Sequence, residues 1–145
     1  MKDDNQAETI HASCVAIGGR AVLLGGPSGS GKSDLAIRLI DRGAVLVSDD
    51  YTLLRPASGG LIAAAPTTIR GSIELRGVGL VSLPSVEEAP VALYVALSAA
   101  PQRLPELQTI ELAGIELPLI ALSALEASAP IKVEAALNLI GLEPK

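Results

Sequence analysis

The sequence predicts an α/β domain built around one nucleotide-phosphate loop, with a strand-rich middle, hairpins and few helices. Three observations carry that prediction. A glycine-rich stretch, Leu23 to Asp34 (LLGGPSGSGKSD), sits between an apolar run and a helical pattern. Apolar runs separated by turn residues fill most of the chain from residue 44 to residue 120, where a doubly wound domain would alternate strands with helices. A second helical pattern appears only near the C-terminus.

The chain has 145 residues, enough for one compact domain and too few for two comfortable ones. We therefore expect a single unit over residues 1–145, with residues 1–8 as a disordered tail. Ile10 to Ile17 reads as a strand ending at Gly18-Gly19, and Arg20 to Leu24 as a second strand running into the glycine-rich loop. From Ser33, the apolar Leu35, Ala36, Leu39 and Ile40 recur at helical spacing, and Gly43 supplies a stop. Ala44 to Val47 is a short buried strand whose end delivers Ser48-Asp49-Asp50. Tyr51–Arg55 and Leu61–Ala65 flank Pro56-Ala57-Ser58-Gly59-Gly60 as a hairpin. Val91 to Leu97 is the strongest single strand candidate. Thr109–Leu112 and Ile115–Ile120 form another hairpin around Ala113-Gly114. Pro130 opens a closing helix that Gly141 ends.

Composition narrows function. The apolar fraction is 49% with two Tyr, no Trp and no Phe, so the core must be aliphatic and tightly packed. Sixteen acidic against eleven basic side chains give a net charge of −5, unfavourable for a nucleic-acid partner. The longest apolar stretch, around Val91 to Ala100, falls short of the roughly 18 residues that span a bilayer, so no membrane association is expected. The N-terminus is too polar for a signal peptide, and a single cysteine, Cys14, suits a reducing cytoplasm.

The chemistry begins at Gly26-Pro27-Ser28-Gly29-Ser30-Gly31-Lys32-Ser33. Glycines let successive N–H groups turn inward around phosphates, and the following helix adds partial positive charge. Lys32 would reach the outer phosphates and the Ser33 hydroxyl would ligate Mg²⁺. Asp49-Asp50 ends the neighbouring strand. One carboxylate there can hold Mg²⁺ and the other can accept a proton from an attacking hydroxyl. Adjacent residues at a strand end point in different directions, which favours two roles over one shared role. Read alone, Glu74 is the polar member of an alternating strand, His11 a surface histidine and Arg103 a solvated loop charge.

Taken in order, His11, the loop Gly26 to Ser33, Arg42-Gly43, Val47-Ser48-Asp49-Asp50 and Glu74-Leu75-Arg76-Gly77-Val78-Gly79 resemble the catalytic domain of the HPr kinase/phosphorylase family. The resemblance covers about Ile10 to Asn138. It implies a phosphoenolpyruvate carboxykinase-like fold, with a mixed, curved sheet and helices packed against it. It also implies a protein serine kinase that uses ATP and Mg²⁺ to phosphorylate HPr or an HPr-like phosphocarrier of the sugar phosphotransferase system. Residue by residue, Gly26 to Ser33 would bind ATP, and Ser33 and Glu74 would hold Mg²⁺ with Asp49 in support. Asp50 would be the proton acceptor, and His11 and Arg103 would complete the active site.

The match at Arg103-Leu104 is partial, since Gln102 and Pro105 depart from the family's Asp-Arg-Leu-Gly. Family members commonly carry an additional N-terminal domain, whereas this chain starts close to His11, as a short form would. The family typically forms hexamers, so a homo-oligomer is the corresponding expectation. Its loop for the reverse, phosphorolytic reaction is rich in Arg, Pro and Gly, but here Ala121 to Pro130 holds neither arginine nor glycine. The forward kinase reaction is therefore the expectation. Two other readings share the loop. A small-molecule P-loop kinase would need an arginine-bearing lid and a helical substrate domain, neither visible in Leu61 to Ile120. A non-catalytic ATP-binding regulatory protein would not need His11, Lys32, Asp50 and Glu74 together. A regulatory GTPase lacks its Asn-Lys-x-Asp motif here.

Overall fold

In a computed structural model, residues 7–98 and 108–143 are described. Among the described residues, eleven strands and two α-helices follow one another in the order β1 (Glu8–Ile10), β2 (Ala12–Ile17), β3 (Arg20–Gly25), α1 (Lys32–Asp41), β4 (Val45–Ser48), β5 (Thr52–Ala57), β6 (Gly60–Ala64), β7 (Ser72–Leu75), β8 (Gly79–Ser82), β9 (Glu88–Leu97), β10 (Gln108–Leu112), β11 (Ile115–Leu122) and α2 (Ala129–Ile140). A single 3₁₀ turn, Thr67–Ile69, precedes β7.

Nine strands make one mixed sheet, β1-β5-β6-β9-β3-β2-β4, with β11 added to β9 and β10 to β11. β2 runs antiparallel to both β3 and β4, whereas β9 runs parallel to both β3 and β11. The ten-residue β9 holds the sheet together by exchanging partners. Residues 88–90 pair with β6, and Tyr94 to Leu97 pair with β11. β7 and β8 form a separate hairpin.

The sheet curls, and successive side chains of its central strands serve two cores. Val22 and Leu24 point to the helices, joining Leu35, Leu39, Leu93, Val95, Val133 and Leu137. Ala21 and Leu23 point the other way, among Cys14, Val47, Leu54, Leu61, Val91 and Leu117. Burial on both faces explains why Arg20 to Gly25 reads as a continuous apolar run after its first residue. Across the helices, Arg42 donates two hydrogen bonds to Glu134, at 3.0 and 2.8 Å. The pair lowers the Glu134 carboxyl below its ordinary range and raises Arg42.

Both predicted hairpins form; the second turns on Ala113-Gly114 as predicted, and the first is tighter than its loop residues suggest. Ser58 and Gly59 have φ of 52° and 76°, Ala113 and Gly114 of 49° and 80°, the two-residue turn whose twist matches the flanking strands. Pro56, Ala57 and Gly60, expected in the loop, belong to strands. The predicted strand Ile10–Ile17 is two strands broken at His11. β1 pairs with β5 and β2 with β3 and β4, so the chain changes partners at that residue. Glu8, expected at the end of the tail, opens β1.

Burial also sets two expectations. Ile73 on β7 is fully buried against the helix-side core, so Ile73→Ala should lower the urea-unfolding free energy by about 2–4 kcal/mol. The Cys14 thiol is buried and burial pushes its pKa up. The thiolate is the reactive form, so a thiol reagent should leave the native protein unmodified while labelling the urea-unfolded chain fully.

Candidate active site

β3 ends at Gly25, the loop spans residues 26–31, and α1 starts at Lys32. Strand, loop and helix thus stand as the sequence predicts. Gly31 lies at φ 98°, a left-handed turn that admits the chain to the helix, and a Cβ there would meet the Ala124 methyl at 2.9 Å. Gly25 is required for a different reason, since a Cβ there would sit 1.9 Å from the Tyr94 hydroxyl. Tyr94, on β9, packs against the end of β3 at Gly25, and burial raises its pKa.

Lys32 is 5% exposed. Its ammonium donates to the Gly26 and Pro27 carbonyls at 2.9 and 3.2 Å and lies 3.9 Å from Asp50 Oδ1. Within the loop Ser30 Oγ is buried without a partner, alone in this among the described side-chain N and O atoms. A donor left unused in the glycine-rich loop, against Gly26, suits phosphate oxygens, which would supply the acceptor that burial otherwise denies it.

The two aspartates diverge. Asp49 is buried, and its Oδ1 accepts from the hydroxyls of Ser33 at 2.5 Å and Ser13 at 3.0 Å, while Oδ2 accepts from the Glu74 amide at 3.2 Å. Asp50 is half exposed. Its Oδ1 stands 2.8 Å from His11 Nε2, and the His11 ring stacks on Tyr51 at a centroid distance of 5.1 Å. The backbone explains the divergence. Asp50 has φ 70° and Tyr51 N–H donates to the Asp49 carbonyl at 2.8 Å, a γ-turn of the rarer, strained hand. Strain of this kind persists where neighbours over-determine it. Here the Ser13 hydroxyl accepts from the Asp50 amide at 3.0 Å, and Ser48 Oγ donates to the Tyr51 carbonyl.

A bulge prepares the turn. Cys14 pairs with Ser48 but Val15 pairs with Leu46, so Val47 is the extra residue of a bulge that bends β4 just before Asp49.

His11, Lys32, Ser33, Asp49 and Asp50 are therefore brought together from β1–β2, α1 and the end of β4. Glu74 arrives through its main chain, which touches Asp49, while its side chain is exposed. Arg103 lies outside the described residues. Among the described residues no three His, Cys, Asp or Glu groups form a ready-made metal cage. The donors at hand, a serine hydroxyl and a carboxylate 2.5 Å apart, are nonetheless the hard oxygens Mg²⁺ takes when it keeps several waters and uses one or two protein ligands. Ser13 and Tyr51 were not legible as site residues. Ser13 reads as one polar position in an apolar strand, and only its place opposite Asp49 gives it meaning.

Comparison with known proteins identifies a family and a fold. The family described as HPr Serine kinase C-terminal domain matches residues 4–89, more than half of the chain. An HPr kinase/phosphorylase of Clostridium tetani is 39% identical over 77 residues, covering 53% of this chain and 25% of that protein. One of Caldicellulosiruptor bescii is 40% identical over 79 residues, 54% of this chain and 25% of its own. The chain spans about a quarter of the length of these curated relatives. Among solved structures, the Hpr(Ser) kinase/phosphatase from Coxiella burnetii superposes with a TM-score of 0.80 at 28% identity, over 91% of this chain and 95% of that one.

Proposed function

The chain belongs to the HPr serine kinase C-terminal domain family, and on that premise we propose that it is an ATP- and Mg²⁺-dependent protein serine kinase. Its acceptor is a serine of HPr or an HPr-like phosphocarrier in the cytoplasm. Its fold is the phosphoenolpyruvate carboxykinase-like form of the P-loop architecture. The observation that carries the reading is Asp50, whose one oxygen faces His11 at 2.8 Å and Lys32 at 3.9 Å at the edge of the glycine-rich loop.

The loop amides, Ser30 and the α1 N-terminus would bind the phosphates, and the Lys32 ammonium would offset charge developing on the transferred group. Ser33 and Asp49, with Glu74, would hold Mg²⁺, which when bound neutralises phosphate charge and orients the phosphates. Asp50 takes the proton of the acceptor serine hydroxyl, and His11 holds the Asp50 carboxylate in place for it. Arg103 joins the site by resemblance alone. Asp49, which already accepts from two hydroxyls and an amide, is the poorer base, which supports giving the metal to Asp49 and the proton to Asp50.

The test is incubation with Mg-ATP and each HPr-like carrier of the same cell, followed by mass-spectrometric mapping. A single phosphoserine on one carrier is expected. No transfer to any of them removes the substrate assignment.

A further inference from the structure

Ser13 sits on β2 with its side chain wholly buried, and its hydroxyl is spent twice on the aspartate pair. It donates to Asp49 Oδ1 at 3.0 Å and accepts from the Asp50 amide at 3.0 Å. Pairing of β2 with β4 ends at Cys14–Ser48, so at the next position this hydroxyl takes the place of a main-chain ladder. It connects the carboxylate that faces inward to the Ser33 hydroxyl with the peptide unit that turns Asp50 outward to His11.

We propose that Ser13 is a positioning residue that keeps Asp49 and Asp50 in separate orientations, and so separates the metal-facing carboxylate from the proton acceptor. A γ-turn at φ 70° costs energy. The Asp50 N–H has Ser13 Oγ as its acceptor, and without it the amide is left unpaired and the turn relaxes toward ordinary backbone angles. Asp50 then leaves the line between His11 and Lys32, while the loop and Lys32 stay where they are. The effect falls on transfer and not on nucleotide binding, because misplacing a reacting group by about 1 Å can cost up to about a hundredfold in rate.

The proposal rests on Asp50 being the proton acceptor, so the experiment has two arms. In the first, Ser13→Ala is examined by NMR amide exchange. The Asp50 amide should exchange about tenfold faster than in the unsubstituted protein, with amides of β3 and β9 unchanged. In the second, kcat for phosphorylation of the carrier should fall at least about tenfold with KM for Mg-ATP within about twofold. Unaltered Asp50 exchange overturns the proposal, as does a KM that rises as much as kcat falls. An unsubstituted protein that phosphorylates no carrier overturns the function proposed above, and amide exchange still decides whether Ser13 holds the turn.

Discussion

Asp50→Asn is expected to abolish phosphoryl transfer, with a loss of about 10²–10⁴ in kcat, while nucleotide binding changes little. The substitution isolates the proton. Asparagine has the same outline and can still hydrogen-bond His11, but it cannot accept a proton from a serine hydroxyl. It also tolerates the left-handed backbone at this position, so the γ-turn survives. Asp50→Ala would mix loss of the base with about 1–2 kcal/mol of backbone strain. The groups proposed to hold the nucleotide, the loop amides and Lys32, are untouched by the asparagine. Phosphoserine formation measured beside titration with a fluorescent nucleotide separates the two properties. Near-normal transfer by Asp50→Asn would exclude Asp50 as the acceptor and pass that role to Asp49.

Lys32→Met should lose both properties together. Methionine keeps an unbranched side chain in a site only 5% exposed and suits the first turn of α1 about as well as lysine. What disappears is the ammonium, and with it two hydrogen bonds to the Gly26 and Pro27 carbonyls and the charge 3.9 Å from Asp50. Removing one preorganised donor of this kind typically costs about 10²–10³ in kcat. The two loop carbonyls lose their partner, so a stability loss of about 1–3 kcal/mol should accompany it. Transfer assay, nucleotide titration and thermal melting give the three readings. Unweakened nucleotide binding would mean that the loop amides alone secure the phosphates.

Much of this was legible in the sequence because the signals were local. The Gly26–Ser33 spacing specifies its own turn and helix entry, and Asp49-Asp50 follows an apolar run that must lie close by. Glycine-containing turn residues announced the two turns: Ala113-Gly114 was placed at its true length, whereas Ser58-Gly59, a weaker signal than Asn-Gly, left the first loop drawn too long. The break at His11 was invisible because no glycine or proline marks it. It is imposed by a change of partner strand, a tertiary event. The β7–β8 hairpin escaped for a similar reason. Only Ile73 is fully buried there, so its alternation is faint, and the Glu74 amide reaches Asp49 through the fold. Ser13 was hidden most thoroughly, since a role built from two hydrogen bonds to residues 36 and 37 positions away leaves no trace in spacing.

β9 imposes an order of events on the making of this protein. The glycine-rich loop is complete in the chain by residue 33, yet the strand that carries it, β3, has β9 as its neighbour on one side, through residues 91 to 96. Tyr94, which fills the space that Gly25 leaves open, comes from the same late segment. A ribosome must therefore finish about two thirds of the chain before β3 acquires this neighbour. Contacts of that sequence separation form slowly, because their loop-closure entropy is lost before any contact repays it. The loop's setting is then completed by the parallel pairing of β3 and β9, long after the glycine-rich motif itself has left the exit tunnel.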